Sequence, residues 1–242
     1  MRWSKTLRIV FALVGALLLP SWASSADFDA VSQASSNSTS LLSWTHTPTG
    51  TPTLVVVHVV YWEDTLGVHT ITGVTYGGTA MTSAGTRVRH ATGEAAVHLW
   101  YLQNPPSGNQ TVEVDVNGAN ATAVTAGALT FTAAASVANY TSGTGSSADP
   151  TLTVTSATGE IVTGATGTFG VATMAFDTPA TERWEQQVTD QDGHGGTEAG
   201  AASVTLDATY DDVGDWAMAA LSVTHQAGVT AAPQRTLLGV GQ

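Results

Sequence analysis

"GVTYGGTAMT", residues 73–82, poses the choice that decides the fold: a loop that cradles a phosphate or sugar, or a tight hairpin. With Gly77-Gly78 as a two-residue turn, Tyr76 faces Thr79, Thr75 faces Ala80 and Val74 faces Met81. Cross-strand partners share a face, so Val74, Tyr76 and Met81 make one apolar side, and Thr75 and Ala80 take the other. Gly-Gly supplies the positive φ angles of type I′ and II′ turns. A phosphate loop would open a helix and carry a Lys after its glycines, whereas Thr79, Ala80 and Met81 follow here. The stretch reads as a hairpin.

The chain on either side of it reads as β as well. In "TVEVDV" (111–116), Val112, Val114 and Val116 alternate with Glu113 and Asp115, and "TLTVT" (151–155) and "ASVTLD" (202–207) alternate likewise. A period of two marks half-buried strands. Three runs are apolar on both faces: "TLVVVHVVYW" (53–62), "AVHLWYL" (96–102) and "WAMAALSV" (216–223). The first, dense in β-branched residues, reads as a central strand and the third as a closing one. Turn-formers punctuate the chain at "TPTGTP" (47–52), "NPPSGN" (104–109), "VNGAN" (116–120), "TSGTGSSADP" (141–150) and "QDGHGG" (191–196). Short strands at that spacing predict an all-β fold, an antiparallel jelly-roll-like β-sandwich. Residues 27–228 form that sandwich as a single domain, with 141–150 joining two sets of strands.

The ends differ in kind. Arg2, Lys5 and Arg8 precede the apolar run Ile9–Leu19, then Pro20 and small residues up to Ala26. That is the pattern of a signal peptide over 1–26, cut after Ala26 or Ala23, and it predicts export. The apolar run is far shorter than the roughly 20 residues that span a bilayer, and no membrane span is expected elsewhere. Residues 229–242 read as an exposed tail in which "TLLGV" (236–240) could add to a neighbouring subunit's open edge.

Beyond residue 26 the basic residues are Arg87, Arg89, Arg183 and Arg235, against 19 acidic ones. This surface excludes nucleic acid and anionic lipid as partners, and it suits a medium whose cations screen or bridge carboxylates. The absence of cysteine excludes disulfides, thiolate metal sites and cysteine nucleophiles.

The segments "LLSWTHT", "LVVVHVVYW", "ITGVTYGGTAMT", "LWYLQNPPSGNQTVEV", "AGALTFTAA", "TERW", "GAASVTLDAT" and "DWAMAALSV" follow one another in order. Their pattern, TGVTYGG…WYL-x-PP-x-G, resembles that of a widespread group of exported bacterial and archaeal β-sandwich proteins, over nearly the whole chain beyond the signal. The resemblance implies a jelly-roll-like sandwich in a cell-surface, matrix or adhesion setting. It carries over no functional residue, because the group has no agreed catalytic site.

Four constellations carry candidate chemistry. Asp190 and Asp192 lie in "TDQDGHGGTEAG" (189–200), and Asp207, Asp211, Asp212 and Asp215 cluster in "DATYDDVGDW" (207–216). Such carboxylates repel unless a cation or solvent separates them, and calcium is the expected ion. The Asp190 loop is no EF-hand, since Ala201 stands where a bidentate Glu is required. Glu113 and Asp115 could act as paired acids of a polysaccharide hydrolase, and Arg87, Arg89, His98 and Tyr101 as the residues of a lyase. No G-x-S-x-G elbow is present. Among the tryptophans, Trp44, Trp62, Trp100, Trp184 and Trp216 are candidate sugar-stacking rings. Trp184, set in polar "TERWEQQ", is expected to be the most exposed. Asn37, Asn109, Asn120 and Asn139 stand in N-x-[ST] sequences. The expected function is therefore that of a secreted surface or matrix protein contacting carbohydrate or like subunits. The alternative is a polysaccharide-active hydrolase or lyase.

Overall fold

The computed structural model describes residues 25–62, 69–92, 95–117, 122–170 and 173–227. The expected tail strand 236–240, Asn120 and nearly all of the signal segment lie outside them. Among the described residues there is no helix, and none therefore long and apolar enough to cross a membrane.

The first half of the chain contains β1 (Asp27–Thr39), β2 (Leu41–His46), β3 (Leu54–Trp62), β4 (Thr70–Tyr76), β5 (Thr79–Ala80), β6 (Thr82–Ser83), β7 (Val88–Arg89), β8 (Ala95–Gln103), β9 (Gln110–Asn117) and β10 (Thr122–Thr132). One sheet runs β1-β10-β3-β8-β6, with β7 also on β8, and another runs β2-β9-β4-β5. The second half contains β11 (Ala134–Ser147), β12 (Thr151–Val154), β13 (Ile161–Phe169), β14 (Met174–Phe176), β15 (Thr181–Val188), β16 (Gln191–Ala199), β17 (Val204–Tyr210) and β18 (Gly214–His225). Its sheets run β11-β18-β13-β16-β15 and β12-β17-β14.

Set side by side, the halves repeat one strand order. The first, last, third and third-from-last strands form one sheet of each half, and the second, next-to-last and fourth form the other, which is the winding of a jelly roll. The duplication extends to register. β3 pairs β8 from Leu54↔Gln103 to Trp62↔Ala95, and β13 pairs β16 from Ile161↔Ala199 to Phe169↔Gln191, nine residues each. The chain passes between halves at Ala133, which has a φ of 52°. The expected joint at 141–150 is instead mostly strand, since β11 runs on to Ser147. The expected sandwich is thus two jelly rolls within one compact unit, residues 23–227.

Each roll has its own interior, and a third core joins them. Val55, Val57, Val59 and Tyr61 of β3 point into the first roll, while Leu54, Val56 and Val60 meet the second. On β18, Met218 and Ala220 face the second roll's interior, while Ala217, Ala219, Leu221 and Val223 enter the shared core. This is why both strands are apolar on both faces: each lies in a sheet covered on both sides. Equivalent residues meet across the join. Trp62 and Phe169, the last residues of β3 and β13, stack with centroids 5.3 Å apart and planes 9° apart. Val60 packs directly on Gly167, its counterpart in register.

The hairpin at Gly77-Gly78 is as expected: Thr75 pairs Ala80, Tyr76 pairs Thr79, and both glycines have positive φ (56° and 75°). Val74, Tyr76 and Met81 all enter the first roll's core. The expected turn at 191–196 is corrected, because those residues lie in β16 and are buried. Its glycines are spacers, and none of them has a positive φ. A Cβ on Gly193 would strike Thr125, one on Gly195 would strike Trp184 and His58, and one on Gly196 would press on Phe176 at 3.0 Å.

Candidate functional site

The titratable residues that gather most closely stand on β15 and β16, the edge pair of the second roll. Register places Glu185 opposite His194 and Glu182 opposite Gly196, with a bulge between Glu182 and Trp184. The bulge turns Trp184 inward and leaves Glu182 and Glu185 beside His194. His194 is fully buried, and its Nδ1 lies 2.9 Å from Glu182 Oε2. Its Nε2 lies 3.1 Å from Oδ1 of Asp192, also buried, and the two form a close ionic contact. Burial alone would lower the pKa of His194, but Asp192 and Glu182 outweigh it and raise it to about 9. One ligand atom from each of Glu182, Glu185 and His194 can be chosen so that all lie within 4.8 Å of one another. These three residues could hold a metal ion, and among the described residues they are the only such group.

The six aspartates expected to bind calcium are dispersed instead. Asp190 sits in the turn before β16, and Asp192 faces His194. Asp207 accepts from Thr151 Oγ1 across β12–β17, and Asp211 accepts from the amide of Thr173 (3.2 Å). Asp212 bonds the amide of Val213 (2.7 Å), while Asp215 accepts from Thr92 and Ser146 and lies 3.2 Å from His90 Nδ1. Hydroxyls and amides thus engage Asp207, Asp211, Asp212 and Asp215, the four that sequence proximity had grouped in one segment.

The enzyme candidates fall into two groups, one on β9 and one around β7 and β8. Glu113 accepts from Thr75 Oγ1 (3.2 Å) beside the exposed Asp115 on the outer face of β9. Arg87 reaches Tyr61 Oη at 3.5 Å, and Arg89 donates to the carbonyls of His90 and Ala91. His98 turns into the first roll, bonds Ser83 Oγ (2.8 Å) and packs on Trp100. Tyr101 packs against the shared core. Of the tryptophans, Trp184 is 2 % exposed and Trp216 7 %. The expectation of an exposed Trp184 is therefore overturned: Gly127 and Gly195 leave room for its ring, and Nε1 donates to His58 Nδ1 (3.2 Å). Trp44 is half-buried and donates to Ser32 Oγ (2.9 Å).

A cleft of about 550 Å³ opens where the start of β1, the 158–160 turn and the ends of β15 and β16 meet. Phe28, Glu160, Arg183, Thr197 and Glu198 line it. The Arg183 guanidinium lies 3.8 Å over the Phe28 ring, and its Nε donates to Thr197 Oγ1 (2.7 Å). Among the described residues no carboxylate lies within ion-pair distance of Arg183. Glu160 is engaged by Ser156, Ser222 and the amide of Ala157. Oε2 of Glu198 is buried without a hydrogen-bond partner. Burial, with Asp207 nearby, raises the pKa of Glu198. Sequence reading singled out neither Arg183 nor Glu198 as a site residue, because the fourteen residues between them hide the pairing of their strands.

Fold and site together define an all-β protein of sandwich-like, twice-wound architecture with a metal-capable group on one edge. No protein-family model, curated protein or solved structure matches the chain.

Proposed function

We propose that this is an exported cell-surface or matrix protein that works by contact, taking acidic carbohydrate in the Arg183 cleft. The observation that carries the reading is a guanidinium, stacked on Phe28 and without a carboxylate partner among the described residues, in an otherwise strongly acidic chain. A cleft of about 550 Å³ lies in the size range of small-ligand sites. A guanidinium presents paired N–H donors that match a carboxylate. Calcium enters this reading as a bridging counter-ion between acidic glycan and acidic surface, since the six aspartates form no ready cage.

The test is a glycan array of neutral and uronate-bearing oligosaccharides, run with calcium and with EDTA. Binding should favour uronates, strengthen with calcium and drop at least tenfold in Arg183→Gln. Equal binding of neutral and acidic glycans by the unaltered chain and R183Q would remove the reading. A second reading, a polysaccharide hydrolase or lyase, draws on Glu160 and Glu198 lining the same cleft. Release of new reducing ends or unsaturated uronates from a bound glycan would favour it.

A further inference from the structure

We infer that Glu182, Glu185 and His194 bind one transition-metal dication of the zinc class, not calcium, with at least one coordination position left open.

The duplicated fold supplies an internal comparison. β8 and β16 occupy the same place in their rolls and pair their neighbours in the same register, so His98 and His194 are counterparts. In the first roll Nε2 of the histidine meets a serine hydroxyl, Ser83 Oγ at 2.8 Å, and among the described residues no carboxylate pairs with the ring. The counterpart of Asp192 there is Ala96, fully buried in the core. A histidine at this position therefore needs no carboxylate to fold. The second roll nevertheless places Asp192 and Glu182 against His194 and brings Glu185 within reach. Charges brought together in a protein interior carry a desolvation cost that their mutual attraction often fails to recover. A bound cation is what that arrangement fits.

The donor set selects the ion. Calcium takes six to eight oxygen ligands, whereas imidazole nitrogen with two carboxylates suits zinc and its neighbours. Asp192 supplies the outer contact typical of such sites: it faces Nε2 and leaves Nδ1 to the ion beside Glu182 and Glu185. The ion replaces the proton on Nδ1, and Nε2 keeps its own toward Asp192. Both carboxylates come from the edge strand, and Glu185 is solvent-exposed, so the ion has a route of entry and room for water or a ligand oxygen.

The test uses the full chain without a polyhistidine tag, stripped with EDTA and titrated by calorimetry with zinc chloride, manganese chloride or calcium chloride. We expect one zinc per chain, a rise of several degrees in Tm, and no Tm change from calcium in tenfold excess. Because His194→Gln alters a fully buried residue, the deciding variant is Glu185→Gln at an exposed position. It should fold as the unaltered chain does and lose the zinc response. Asp192→Asn should keep the stoichiometry with affinity lowered about 10- to 100-fold. A zinc response of equal size in E185Q, the absence of zinc binding, or an equal response to calcium would each overturn the assignment. None of these outcomes bears on glycan binding by Arg183.

Discussion

At the scale of single residues, the shared core is held by side chains that fill the space their glycine neighbours leave. Gly195 sits against the Trp184 indole and the His58 ring. Gly195→Ala forces that cluster apart, and overpacking of this kind costs about 1–3 kcal/mol. In a chain of this length that is a fall of several degrees in Tm; calorimetry on G195A checks it, and an unchanged Tm contradicts it. The same interior sets the response to acid. Burial lowers His58 to about 3 and His46 and His98 to about 4, from an ordinary 6.5. Their folded-state pKa values lie below the unfolded ones, so the unfolded chain binds the extra protons. Their contribution is complete above pH 6.5 and is lost as pH falls toward 4, by roughly 1.4 kcal/mol per unit for each histidine. His194, raised to about 9, is protonated in both states below 6.5 and adds nothing to this fall. Urea midpoints should drop steeply from pH 7 to pH 5; a flat profile would contradict the buried neutral state of the three.

At the scale of elements, what is local was readable. The Gly77-Gly78 hairpin, the alternation of 111–116 and the doubly apolar runs 53–62 and 216–223 follow from periods and turn chemistry within a few residues. What depends on a partner was not. "QDGHGG" carries the composition of a turn, and only the bulk of Thr125, Trp184 and Phe176 opposite shows why a buried strand needs glycine there. A one-residue bulge reverses the face on which Trp184 is read, and nothing in "TERWEQQ" announces it. Glu182 and His194 meet only through the pairing of β15 with β16, so the metal-capable group was invisible while the aspartate-rich segment was conspicuous. The start of β1 bears on processing. Ala26 is buried, and its amide donates to the Gly159 carbonyl (2.8 Å). On the proposed export route, cleavage after Ala23 keeps that bond, so the mature chain should begin at Ser24. N-terminal sequencing that finds Asp27 first would contradict it.

At the scale of the whole molecule, the duplication leaves little trace in the letters. "GALTFT" (127–132) and "AALSVT" (219–224) occupy equivalent stretches of β10 and β18, and His98 matches His194, but most aligned positions differ. A strand order survives substitutions that preserve burial, so the repeat emerges from pairing and not from identity. Because the core between the rolls takes side chains from β3, β8, β10, β13 and β18, neither roll is closed without the other. Thermal unfolding should be one transition with equal calorimetric and van't Hoff enthalpies. Two resolved transitions would contradict a shared core.

Val60 against Gly167 has a further consequence. Two identical subunits related by a twofold axis must present the same residue at both equivalent positions. Valine facing valine would collide here, since even one added carbon on Gly167 strikes Val60, and glycine facing glycine would leave a void. One large and one absent side chain fit only because the two halves have different sequences. The join is therefore hetero-specific: each half is shaped to its neighbour and poorly suited to a copy of itself, which disfavours association of like halves from two molecules.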